Sequence, residues 1–191
     1  MTGAASGQPA RCRLPQGTAR LASPALLIGF IGTIGLSGCA APADEMGNWF
    51  NDPFFQISAA IADCPPPAGP FVPESERVLQ THRRAEKGTT CWLARECERP
   101  TAYAYDADIA AAAQAALRQR NPFAADTSLW VTVQGRVVYI EGCARDAAVV
   151  PALEAFARAW PDVQQAIAIV RIDGAARPPY RLRTAAPAAP R

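Results

Sequence analysis

The stretch Leu129-Trp130-Val131-Thr132-Val133-Gln134-Gly135-Arg136-Val137-Val138-Tyr139-Ile140-Glu141-Gly142 decides the fold. Two runs rich in Val, Ile, Tyr, Trp and Thr flank Gly135-Arg136, and such side chains suit a pleated strand. Glycine at the first central position of a two-residue loop predicts a type II′ turn, whose twist matches that of its strands. The turn sets a register in which Gln134 faces Val137, Val133 faces Val138, Val131 faces Ile140 and Leu129 faces Gly142. Side chains alternate between faces, so Leu129, Val131, Val133, Val138 and Ile140 form one apolar face. The other face carries Trp130, Thr132, Tyr139 and Glu141.

Helical patterns bracket the hairpin. Upstream, Asp106 stands as an N-cap, and Ile109, Ala112, Ala113, Ala116 and Leu117 recur with helical spacing until Asn121-Pro122. Downstream, Val149, Leu153, Phe156, Ala157 and Trp160 hold one face, with Pro151 in the first turn and Pro161-Asp162 as the break. These two helices are expected to meet the apolar face of the hairpin. Val163–Ile172 is β-branched and reads as a third strand. Its phase stays open: either Ala166, Ala168, Val170 and Ile172 or Ile167 and Ile169 face inward. With both faces apolar, the strand is central or covered on both sides. Residues 106–172 therefore read as an α+β domain of order αββαβ, a three-stranded sheet packed by two helices.

The segment 52–105 reads as a helical, cysteine-containing extension. Asp52-Pro53 is a helix start, and Phe54, Ile57 and Ile61 predict a short amphipathic helix to about Asp63. That helix is expected to pack on the domain, because it lacks the basic polar face of a membrane-surface helix. Cys64-Pro65-Pro66-Pro67 ends it. A second helix opens at Pro73-Glu74-Ser75-Glu76 and closes with Arg83, Arg84 and Lys87 before Gly88, which complements the helix dipole. Its only apolar side is Val78, Leu79, His82 and Ala85, and His82 reads as a partly packed helix residue. The basic cluster is either a solvated helix end or a contact for anionic lipid headgroups. Residues 173–191 lack an apolar pattern and read as a disordered tail.

The N-terminus reads as a targeting segment. Arg11, Arg13 and Arg20 precede Leu21–Ala43, which carries no charge. The run ends in Leu36-Ser37-Gly38-Cys39, which resembles the bacterial lipoprotein signal, in which cleavage precedes a cysteine that becomes lipidated. This makes 1–38 the signal, Cys39 the lipidation site and 39–51 a tether. The competing reading, an uncleaved membrane anchor, is weakened by Pro24 and the glycines and serines of the run. Cleavage removes three arginines and no acid, so 19 basic side chains fall to 16 against 17 acids, a net of −1. That balance gives nucleic-acid binding no electrostatic support.

With Cys12 removed and Cys39 lipidated, Cys64, Cys91, Cys97 and Cys143 remain, an even number in an oxidising compartment. They predict two disulfides, with the connectivity open. Cys91 cannot reach Cys97 within one regular helix, where six residues span about 9 Å. Such a bridge needs a break in the helix. The spacings fit no metal-ligand motif, and the chain has one histidine. No metal, cofactor or catalytic constellation is expected: there is no phosphate loop, no nucleophile–base spacing and no Cys-x-x-Cys.

The order helix–strand–strand–helix–strand, with Asp106, Ile109, Val131-Thr132-Val133, Val137-Val138-Tyr139-Ile140-Glu141-Gly142 and Trp160-Pro161-Asp162-Val163, resembles the BON domain of bacterial envelope proteins. The resemblance covers about a third of the chain, as a single copy. Gly135-Arg136 replaces the family's usual Asn-Gly or Asp-Gly turn, Asp162 stands where a Pro-Gly-Val-like step has glycine, and Cys143 is an addition. The resemblance implies a non-enzymatic module at the periplasmic side of membranes that binds phospholipid and supports envelope integrity. Ala40 after Cys39 resembles lipoproteins sent to the outer membrane. A second expectation, of another class, is a structural accessory subunit of an envelope assembly or secretion apparatus, docking an envelope protein partner. The face bearing Trp130 and Tyr139 is too apolar to stand in water without reason. Either the Trp49–Ile61 segment covers it, helped by a disulfide from Cys143, or it is the binding surface, with Arg83, Arg84 and Lys87 as its basic component.

Overall fold

The computed structural model describes residues 44–173 and 177–183. The expected signal segment, the expected lipidation site Cys39 and the start of the expected tether lie outside the described residues. In chain order the elements are β1 (Met46–Gly47), β2 (Phe54–Ala59), β3 (Val72–Pro73), α1 (Glu74–Glu86), α2 (Thr89–Leu93), a 3-10 turn at Ala102–Tyr105, α3 (Asp106–Gln119), β4 (Thr127–Gln134), β5 (Val137–Ala144), α4 (Val149–Arg158) and β6 (Gln165–Ile172). The class is α+β. A small sheet pairs β1 with β3, and a four-stranded sheet has the order β2-β4-β5-β6, antiparallel except for the parallel β5–β6 pair.

The hairpin takes the register that its turn implies, with Leu129 opposite Gly142 and Val133 opposite Val138. Leu129, Val131, Val133, Val138 and Ile140 are buried under α3 and α4, joined by Ile109, Ala113, Leu153, Ala157 and Trp160. Burying this face is the main stabilising term, at roughly 1.5–3 kcal/mol per large apolar side chain. Gly142 has a steric reason. Its φ is +143°, and a Cβ there would collide with the Ser128 carbonyl across the hairpin.

The turn itself is type I′, not II′. Gly135 and Arg136 both have positive φ, 61° and 66°. What stabilises the unusual Arg136 conformation is a carboxylate. Asp106 accepts hydrogen bonds from Gly135 N at 2.6 Å and Arg136 N at 2.8 Å. Asp106 is therefore no N-cap. It sits inside α3, whose N-terminus has no side-chain cap, and its carboxylate caps the turn instead. The Arg136 guanidinium lies 4.4 Å from the Tyr105 ring centroid and donates through Nε to Asp162 O at 2.8 Å. Asp162 also has positive φ, 63°.

Further expectations are corrected. Phe54–Ala59 is not a helix but strand β2, so the sheet has four strands rather than three and draws one from the extension. The helical spacing of Phe54, Ile57 and Ile61 was real, but Phe-Phe-x-Ile suits a strand equally, and β4 offered an edge of unpaired amides and carbonyls. A bulge follows Gln56. Hydroxyls repair it: Leu129 N donates to Ser58 Oγ at 3.0 Å, and Ser58 Oγ meets Thr127 Oγ1 at 2.7 Å. Next, of the two positions offered for the third strand, the central one is excluded, since β6 is an edge strand; of the two phases left open, it takes that of Ala166 and Val170. Then, residues 177–183 are not a free tail. Tyr180 is buried and donates to Pro65 O at 2.9 Å, while Ala68 N donates to Arg181 O at 2.7 Å. Alternating Tyr180 and Leu182 give that short extended segment one apolar edge. Residues 174–176 and 184–191 lie outside the description. Finally, His82 is exposed rather than partly packed, and pairs with Glu86 on its own helix.

Candidate anion-binding cleft on the outer sheet face

The outer face of the sheet is assembled from three distant parts of the chain. The disulfide Cys64–Cys143, with Cα atoms 5.7 Å apart, ties the extension to β5. The Tyr180 hydroxyl lies 3.6 Å from both sulfurs and closes the tail over them. Cys91–Cys97 forms the second bridge, Cα–Cα 5.4 Å. It is reached because α2 ends at Leu93 and Arg95 turns left-handed at φ 61°, which is the helix break the spacing requires.

Arg84 is the keystone of this face. It pairs with Asp52 through both guanidinium branches, one of them at 2.7 Å, and Gln134 Nε2 donates to the same carboxylate at 2.6 Å. Its guanidinium plane lies between the Phe50 and Tyr103 rings, 4.0 and 4.2 Å from their centroids. The pair is nearly buried, so each charge depends on the other. The Arg84 Nε is buried without a partner. Arg84 is thus no solvated helix end, and Asp52 is no helix N-cap.

Beside this pair opens a cleft of about 350 Å³ lined by Gln80, Arg83, Arg84, Lys87, Tyr103, Gln134 and Tyr139. Gln134 and Tyr139 also line a neighbouring cleft of about 290 Å³, with Glu141, Tyr180 and Arg181. Arg83, Arg84, Lys87 and Tyr139, four of the five residues expected at a binding surface, converge here. Trp130 does not. It is half-buried on the same sheet face, between Gln56 of β2 and Glu141 of β5.

The electrostatics are uneven. Asp52 neutralises Arg84, whereas Arg83 and Lys87 form no ion pair among the described residues. The Lys87 ammonium lies 5.7 Å from the Tyr103 ring centroid. Burial pushes the Tyr103 phenol up, against the pull of Arg84, so it stays a neutral donor. Burial also raises the Glu141 carboxyl in the neighbouring cleft, opposed by Arg181. Two cations without ion-pair partners among the described residues, two phenols and two amides can together donate hydrogen bonds to the oxygens of an anion. Tyr103, Gln80, Gln134 and Asp52 were missed from the sequence. Gln80, Arg84 and Lys87 share one side of α1 by spacing, which was a usable signal; nothing local marks Tyr103 or Asp52.

No protein-family model matches the chain, and neither does any of the curated proteins or solved structures compared with it.

Proposed function

We propose that the protein is a lipid-anchored, periplasm-facing envelope protein of the outer membrane, a non-enzymatic BON-like module that binds phospholipid through the outer sheet face. The observation that carries the reading is the cleft in which Arg83 and Lys87, without acidic partners among the described residues, stand beside Tyr103 and Tyr139. Its size suits a headgroup rather than a protein segment. Export is supported by two disulfides in a chain whose Leu36-Ser37-Gly38-Cys39 resembles a lipoprotein signal. Kinship with BON domains is supported by the order α3-β4-β5-α4-β6. It is also supported by left-handed backbone at Arg136 and Asp162, where that family favours glycine. The β2 edge and the extension are then elaborations.

Co-sedimentation of the unlipidated mature chain with vesicles containing anionic phospholipid at low salt tests the binding. The expected result is binding that Arg83→Glu with Lys87→Glu weakens roughly tenfold or more. No binding to such vesicles overturns the lipid half of the proposal.

The second reading, an accessory subunit that docks an envelope protein, rests on another observation. A groove of about 290 Å³ runs between edge strand β2 and α3, with Phe55, Ile57 and Leu117 as its apolar lining and Gln56, Gln114, Arg118 and Asn121 around them. Leu117→Arg abolishing capture of a crosslinked envelope partner, with vesicle binding intact, favours this class.

A further inference from the structure

Helix α1 is amphipathic, but it is turned inside out. Glu76, Gln80, Arg84 and Lys87, spaced four, four and three apart, are its half-buried positions. Gln80, Arg84 and Lys87 line the cleft, while Arg77, itself exposed, lies over Trp49. The exposed side carries Val78 and Leu79, 76 and 75% exposed, among Ser75, His82, Arg83 and Glu86. Helix α2, the next element, exposes Trp92 and Leu93 at 43 and 79%. Of the exposed large apolar side chains among the described residues, all but Leu182 lie between residues 46 and 93. A helix normally buries its large apolar side chains, and large apolar side chains left in water on successive elements point to an interaction surface.

The chain says what lies near this surface. Asp44 is tied to the start of α1: Ser75 N donates to its carboxylate at 3.2 Å, and Glu74 N donates to Glu45 O at 2.9 Å. Only five residue steps separate Asp44 from Cys39, a reach of at most about 18 Å. A lipid on Cys39 therefore holds the first turn of α1 within that distance of the bilayer surface, and Val78 is one helical turn further on.

We infer that the outward side of α1 and the Trp92-Leu93 pair of α2 form a membrane-docking surface, inserted at the headgroup boundary of the bilayer that holds the Cys39 lipid. Trp92 is the residue type that favours that boundary, and four large apolar side chains are enough to hold a short helix there once an acyl anchor removes the cost of encounter. The inference rests on lipidation of Cys39. It shares no residue with the cleft, although Arg83 of the cleft neighbours Leu79 one turn along α1.

Intrinsic fluorescence of the full lipidated protein in vesicles of acyl-brominated phosphatidylglycerol and phosphatidylethanolamine tests it, with mass spectrometry reporting the lipid on Cys39. Bromine is expected to quench the wild type. Trp92→Phe should remove more than half of that quenching, and Val78→Glu with Leu79→Glu should remove it while near-ultraviolet circular dichroism stays unchanged. Quenching unaltered by Trp92→Phe, or none in a protein that carries the lipid, overturns the docking surface and leaves the anchor standing. A protein without lipid on Cys39 overturns the anchor, and the inference with it. Trp92 shielded only by concentration-dependent self-association, and untouched by bromine, assigns the face to a second copy and also overturns it.

Discussion

The two faces of the four-stranded sheet are held by different physics. The inner face is a continuous apolar layer, Leu129, Val131, Val133, Val138 and Ile140 against α3 and α4. It works by area, is non-directional and tolerates changes of detail. The outer face is held by discrete partners: one disulfide, one buried ion pair, one docked tyrosine. Each is directional and costly to leave unpaired. The inner face thus follows from composition and period, and the outer face from particular long-range meetings.

That contrast can be broken or sharpened experimentally. The largest effect is expected from Cys64→Ala with Cys143→Ala. The bond spans 79 residues of sequence, and loop entropy alone sets its contribution at about 4.5 kcal/mol. Urea titration should show a loss of that order, and a loss below about 1 kcal/mol would mean that the outer cover is held without the bridge. Ile140→Ala opens a cavity on the inner face, and about 3 kcal/mol should be lost. Asp106→Ala strips the acceptor from two turn amides and should cost about 2 kcal/mol. Asp106→Asn should recover only part of this, since it leaves one acceptor oxygen. Arg136 and Asp162 form a more exposed pair that joins the turn to the α4–β6 step. Their coupling in a double-mutant cycle should be about 0.5 kcal/mol.

The smallest effect is a pH dependence on the outer face. Burial raises Glu141 above its ordinary value of 4.5, so the folded chain keeps this proton to higher pH than the unfolded chain. Its contribution to stability is greatest below 4.5 and is lost as pH rises through the raised folded value. Glu141→Gln should therefore gain on the wild type as pH increases from about 4 to 7 in urea titrations. A difference that does not change with pH would place Glu141 in free solvent.

Much of the inner face was legible. The register of the hairpin, the faces of α3 and α4 and the disulfide count follow from local pattern and cysteine arithmetic. The errors share one cause. Asp52 and Asp106 each stand where local rules assign a helix cap, yet their carboxylates are taken by Arg84 and by the turn amides, partners 32 and about 30 positions away. Phe54–Ala59 carries a helical spacing and a strand composition at once, and only the open edge of β4 selects between them. In the candidate site, the basic cluster and Tyr139 were visible as residue types. Their convergence with Tyr103 was not, because it depends on tertiary packing that brings α1, Tyr103 and β5 to one cleft.

By itself the sequence determined the alternation of the hairpin, the stripes of two helices and the even number of cysteines, because these are short-range consequences of backbone period and composition. Tertiary structure decided the turn type, the fourth strand, the bridge from Cys64 to Cys143 and the inverted setting of α1. The physical reason is that a carboxylate, a strand edge or an apolar stripe is satisfied by whichever partner the folded chain brings to it, and that partner carries no local signature.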